Sequence, residues 1–170
     1  MNFGIAFFPS KEIQDVANSF RKRYDPRYAL IPPHITLKDS FKIPDDEMDE
    51  FIAELRKIAS ETKPFSIQIS KVSSFEPVTN TIYFKVNPTP EIINLEEKLH
   101  SGKFENTRKH PFVPHVTLAQ ELTHNEFTDI LGRFNMESHQ YHDILDRFQL
   151  LYQLDNGSWT VHETFVFSEE

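Results

Sequence analysis

The pentapeptide Pro-His-Ile-Thr-Leu at residues 33–37 returns as Pro-His-Val-Thr-Leu at residues 114–118, 81 positions later. Two copies of so specific a string within 170 residues demand a fold with two equivalent places for them. The hydrophobic pattern supplies those places. Phe3, Ile5 and Phe7 alternate on one face of a strand over residues 2–8. Pro9 and Ser10 then open a helix bearing Ile13, Val16, Ala17, Phe20 and Tyr24. After the first motif, Pro44 precedes a second helix with Met48, Phe51, Ile52, Leu55 and Ile58, and Phe65, Ile67 and Ile69 alternate along a closing strand.

The order then repeats. Ile82, Phe84 and Val86 alternate as a strand, and Thr89 and Pro90 supply the N-cap and first helical residue of a helix carrying Ile92, Leu95 and Leu99, which stops near Gly102. After the second motif, Thr123 and Glu126 form a capping-box pattern before Phe127, Ile130, Leu131 and Phe134. Two strands joined by Asp-Asn-Gly-Ser complete the chain. The pattern predicts one α+β domain over residues 1–170, a bilobal internal duplication with approximate lobes 1–74 and 81–170. Each lobe is an antiparallel sheet with helices, and the two motifs meet in a central cleft on a pseudo-two-fold axis.

Alternation along a strand places His34, Thr36 and Lys38 on one face, with Ile35 and Leu37 anchoring the other. His115 and Thr117 repeat the presentation over Val116 and Leu118, while Ala119 stands where the first copy has Lys38. Two imidazoles facing one cleft suit acid–base chemistry near neutral pH. One takes a proton from an attacking water or hydroxyl and the other gives one to a leaving oxygen. In-line displacement at phosphorus needs those two groups on opposite sides, which a pseudo-two-fold pair provides. The threonine hydroxyls can donate to the non-bridging oxygens.

The net charge of −8 repels an anionic substrate at long range, so positive charge has to be concentrated locally. Lys38 is the best single candidate. Arg21, Lys22, Arg23 and Arg27 precede the first motif, and Lys103, Arg108 and Lys109 precede the second. Tyr28, Phe41, Phe104 and Phe112 flank the motifs and are candidates for base stacking, against a competing role in loop packing. His139 and His142 have a spacing that some metal sites use, but no cysteine or carboxylate constellation accompanies them, so no metal is predicted. The absence of cysteine excludes disulfides and suits a cytoplasmic setting. No apolar run is long enough to span a bilayer, so no membrane partner is predicted.

A His-x-Thr motif in each half of a bilobal α+β chain resembles the 2H phosphoesterase superfamily, with its LigT-like 2′-5′ RNA ligases and cyclic nucleotide phosphodiesterases. The contexts PHITLK and PHVTLA, with the chain length, are most similar to the bacterial YjcG group of phosphoesterases. The resemblance covers nearly the whole chain. It implies an enzyme with His34 as proton donor and His115 as proton acceptor, Thr36 and Thr117 as phosphate ligands, and no metal or organic cofactor. It further implies a substrate with a 2′,3′-cyclic or 2′-5′ phosphodiester on a nucleotide or RNA end. The residues themselves leave the order of the two histidines open. They also leave a reading from another class, a non-catalytic module in which the histidines bind a nucleotide or RNA end.

Overall fold

The apolar alternation becomes strands and the 3.6-residue pattern becomes helices, as the sequence predicts. The computed structural model describes residues 1–168; residues 169 and 170, the end of the expected second lobe, lie outside the described residues. The first half contains β1 (Asn2–Phe7), α1 (Lys11–Tyr24), β2 (Ile35–Lys42), α2 (Met48–Ser60) and β3 (Phe65–Ser74). The second contains β4 (Ile82–Val86), α3 (Pro90–Lys98), β5 (His115–Ala119), α4 (His124–Asn135), β6 (Tyr141–Leu145), β7 (Arg147–Gln153) and β8 (Trp159–Val166). Two helix starts carry the predicted caps: Thr89 accepts from the Ile92 N–H, and Thr123 and Glu126 form a reciprocal capping box. Gly157, at φ 90°, makes the turn of the β7–β8 hairpin.

The described residues form two four-stranded antiparallel sheets, ordered β2-β1-β7-β8 (sheet A) and β5-β4-β3-β6 (sheet B). With four helices against them the fold is α+β and bilobal. The two sheets are equivalent strand for strand, β2 matching β5, β1 matching β4 and β7 matching β3. The lobes, however, are not the contiguous segments 1–74 and 81–170. β3, expected in the first lobe, pairs with β4 and β6 of sheet B, and β7 and β8, expected in the second, complete sheet A.

The helices cross as well. α1 packs against β5 of sheet B, where Phe20 meets Phe134 of α4 edge-on with ring centroids 4.4 Å apart. α3 contacts β2 of sheet A, and α2 contacts β8. Hydrophobic periodicity specifies that a segment has a buried face but not which other face covers it, and this is why the segments were legible and their partners were not. β6 was also missed. It is short, and only Asp146 separates it from β7, across which the chain passes from one sheet to the other.

Apolar residues of β1 (Phe3, Ile5, Phe7) and β4 (Ile82, Phe84, Val86) are buried toward the helices, together with Ile35, Leu37, Val116 and Leu118 of the motif strands. β2 and β5 are edge strands of their sheets, and these two edges approach each other at the centre of the molecule. Prolines at their starts are tolerated there because an edge leaves the missing N–H without a ladder partner to lose.

Because each sheet draws strands from both halves, neither half closes alone. Residues 1–74 expressed by themselves are expected to show no cooperative unfolding transition by circular dichroism. A sigmoidal urea transition for that fragment would contradict the observed exchange.

Candidate active site

Both motifs open onto one cleft of about 630 Å³, whose lining includes His34, Thr36, His115 and Thr117. The two histidines are held in the same way. His34 Nδ1 lies 2.9 Å from the Pro32 carbonyl oxygen, and His115 Nδ1 lies 2.6 Å from that of Val113. A carbonyl only accepts, so each Nδ1 carries the proton and donates it. The lone pair of each neutral ring is thereby on Nε2, the nitrogen left to work in the cleft.

Their electrostatics are also alike. Burial pushes the His34 imidazole down to about 4, against the opposing bond to Pro32; the positive charge of Arg21 and that of His115 lower it further, while Asp25 acts the other way. Burial likewise lowers His115, opposed by its bond to the Val113 carbonyl and by the carboxylate of Asp39. Both rings are therefore neutral at pH 7 in the ligand-free protein. That each histidine responds to charge from other segments fits a shared cleft.

Lys38 is not in the cleft. A β-bulge falls on the last residue of each motif: Ala6 faces Thr36 and Ile5 faces Lys38, so Leu37 is skipped, and Tyr83 faces Thr117 and Ile82 faces Ala119, so Leu118 is skipped. Two consecutive residues then point inward, Leu37 with Lys38 and Leu118 with Ala119. Strict alternation, which placed Lys38 beside His34 and Thr36, ends at the bulge. Lys38 is 2% exposed, and its ammonium donates to the Glu105 carbonyl at 2.7 Å and lies 5.1 Å from the centre of the Phe41 ring. Burial lowers it to about 8, with Glu96 opposing. The residue turned into the cleft instead is Asp39, a carboxylate where a cation was expected.

Of the basic residues flanking the motifs, Arg21 and Arg27 line the cleft. Arg21 is buried; it donates to Asp25 at 3.1 Å, to Asn18 at 2.9 Å and to the Ile31 carbonyl at 2.7 Å, which braces the segment leading into the first motif. Gln120, just past the second motif, donates to Asp25 at 2.8 Å and ties the end of that motif strand to the segment that leads into the first motif. Arg108 instead grips Glu96 through two hydrogen bonds of 2.7 and 2.6 Å and reaches Glu97 at 2.7 Å. Lys22, Arg23, Lys103 and Lys109 are exposed outside the cleft. The aromatic candidates lie elsewhere too: Phe41 and Phe104 are core residues, Phe112 packs on the core, and Tyr28 sits beside Arg21. The aromatic residues that do line the cleft, Phe75 and Trp159, went unnoticed because their position depends on strand partners. Among the described residues no three of His, Cys, Asp and Glu gather as a metal ion needs.

The family model described as the 2′-5′ RNA ligase superfamily matches residues 9–157. The chain belongs to that superfamily, the 2H phosphoesterases. A protein of Oceanobacillus iheyensis named "Putative phosphoesterase" is 63% identical over 170 residues, covering 100% of both chains. One of the same description from Bacillus licheniformis is 52% identical over 166 residues, 98% of each. Among solved structures, TT0787 of Thermus thermophilus superposes with a TM-score of 0.73 at 19% identity over 100% of both chains. LigT of E. coli, solved in complex with 3′-AMP, has a TM-score of 0.64 at 16% identity over 98% of each chain. These likenesses confirm the two-sheet fold around the cleft and the family that the doubled motif resembles.

The placement of Lys38 has a direct consequence. Lys38→Met, which keeps the volume and removes the buried charge, is expected to fold while losing about 1–3 kcal/mol because the Glu105 carbonyl is left without its donor, and Lys38→Ala to lose more through the cavity it leaves. In Lys38→Met the affinity for phosphate or a nucleotide should fall with salt as steeply as in the parent protein. A shallower slope in a calorimetric salt series would return Lys38 to the cleft.

Proposed function

We propose that this protein hydrolyses a 2′,3′-cyclic or 2′-5′ phosphodiester of a nucleotide or RNA end by paired-histidine general acid–base catalysis, in a cytoplasmic setting. The observation that carries the reading is the pair of imidazoles with one tautomer, opening with two threonines onto a single cleft. That LigT, of the same fold, was crystallised with 3′-AMP, ATP and NADP+ supports a nucleotide ligand.

In the proposed reaction the phosphorus sits between His34 and His115. Nε2 of neutral His115 takes a proton from water as the water oxygen bonds to phosphorus. The Asp39 carboxylate, which favours the charged form of His115, stabilises the imidazolium that results. His34, protonated at Nε2, gives that proton to the departing sugar oxygen as the P–O bond breaks. One water is consumed and a phosphomonoester is formed. Thr36 and Thr117 donate to the non-bridging oxygens, where charge grows in the transition state. No step requires a metal or an organic cofactor.

The low pKa of His34 makes substrate binding part of its activation. A phosphodiester anion in the cleft favours the imidazolium and raises the pKa of its neighbour. Reaction from the free protein is governed by the ligand-free values, both below the ordinary 6.5. The kcat/KM profile against pH is therefore expected to be bell-shaped with its maximum on the acid side of 6.5, and the kcat profile to lie at higher pH. His34→Ala and His115→Ala should each reduce turnover by about 10²–10⁴-fold, and the double variant by much less than the product of the two. Activity should survive EDTA. Tight binding of a broad panel of cyclic nucleotides and cyclic-phosphate oligomers without detectable product would reject the enzyme in favour of a binding module.

A further inference from the structure

The duplication gives the two motif histidines the same tautomer but not the same neighbours. In an antiparallel pair, a large side chain facing one residue also reaches the diagonal neighbour two residues along the same face. In sheet B the residue facing Thr117 is Tyr83, and its diagonal neighbour is His115. The two rings lie 5.1 Å apart, inclined at 58°. In sheet A the residue facing Thr36 is Ala6, whose methyl group offers His34 no ring. Phe75 adds a second contact on His115, edge-on at 5.0 Å and 88°. It stands just after β3, where its N–H donates to the Thr81 carbonyl at 3.2 Å. Its own carbonyl accepts from the Val78 and Thr79 N–H groups at 2.8 and 3.3 Å. Tyr83 backs Phe75 in turn, with 4.3 Å between their centres. Among the described residues His34 meets no aromatic ring.

A single Nδ1–H bond pins one corner of an imidazole and leaves the ring free to swing about it. Contacts from other directions fix its plane, and tilted or edge-on rings at about 4.5–7 Å are favourable ones. We propose that Phe75 and Tyr83 are positioning residues for His115: they bracket its imidazole, hold Nε2 at one place in the cleft and cover the ring's flank from water, and His34 has no such bracket. This rests on the paired-histidine reading above and adds two residues to it. The bracket acts through His115 and touches no reacting atom. A proton acceptor gains from it, because its lone pair has to be aimed at the attacking water before the bond to phosphorus forms. The other titratable groups that act on His115 are Asp39 of β2 and His34 across the cleft. Both stay in place when Phe75 is replaced, so a change confined to His115 reports the bracket.

The test begins on the ligand-free protein, by NMR titration of its histidine side chains. Burial holds His115 below the ordinary histidine value. Phe75→Ala lets water reach the ring, so the His115 midpoint is expected to move up toward that value, with no rise at His34. Phe75→Tyr, which restores the ring, should return the midpoint to that of the parent. Phe75→Leu keeps much of the apolar volume, serves if the alanine protein does not fold, and should move the midpoint the same way by less. With 2′,3′-cyclic AMP, Phe75→Ala should lose about ten- to a hundredfold in kcat with KM little changed, and Phe75→Tyr should recover most of it. An unmoved His115 midpoint, or an equal rise at both histidines, overturns the bracket. A raised KM with unchanged kcat makes Phe75 a substrate contact and overturns it as well. A moved midpoint in a protein that turns over no ester keeps the bracket and rejects the hydrolytic reading, so the two failures are distinct.

Discussion

Each sheet takes strands from both halves of the chain, and that reciprocal crossing is what the cleft depends on. β1 and β2 are completed by β7 and β8, β4 and β5 by β3 and β6, and α1 leaves its own sheet to cover β5. Two independently folded lobes on a linker would resemble transient partners, free to shift against each other. Here a displacement of one motif relative to the other has to break strand pairing or expose core residues such as Phe84 and Phe148, both fully buried. The proposed acid–base catalysis would tolerate little misplacement of the reacting atoms, and a site divided between lobes needs such a constraint. Gln120 on Asp25, and the Gln120 N–H on the Tyr24 carbonyl, add polar ties at the seam itself.

Within that frame the duplication repeats two local devices, and their consequences differ. The Nδ1–H bond to the carbonyl two residues back fixes tautomer and ring orientation identically for both histidines. The bulge at the end of each motif turns the next residue inward in both sheets. In sheet B that residue is Ala119, which simply fills space. In sheet A it is Lys38, whose charge is met by the Glu105 carbonyl and by Glu96 nearby. The loop that Lys38 holds runs from α3 toward the second motif. A side chain suited to binding phosphate is thereby used to fasten one half to the other.

The sequence carried most of the elements, the duplication and the two histidines that share the cleft because each is local. Alternation placed Ile35 and Leu37 under His34 and Thr36, and Thr123 with Glu126 announced α4. It failed where the answer lay in partners. Nothing in residues 65–74 says that β3 joins β4 rather than β1, and Trp159 reaches the cleft only because β8 completes sheet A. Lys38 failed for a different reason, since one inserted residue in a strand reverses every inference drawn from period two beyond it. Arg108 was a candidate for local positive charge from its neighbourhood in sequence, but Glu96 of α3 satisfies it first.

The depressed pKa of His34 ties this architecture to its chemistry. Between about 4 and the ordinary 6.5 the unfolded chain binds a proton that the folded protein refuses, so this group makes stability fall as pH drops through that window. Above 6.5 neither state is protonated and the penalty vanishes. The fold thus keeps the cleft free of fixed positive charge on its imidazoles until an anion arrives. In the proposed reaction a phosphodiester entering the cleft offsets the desolvation that burial imposes, and it does so most strongly for the ring nearest its charge. Under the proposed mechanism the proton needed by the leaving oxygen is then recruited by the substrate itself, in a protein whose overall charge is negative and whose one inward-facing motif lysine is committed to the core.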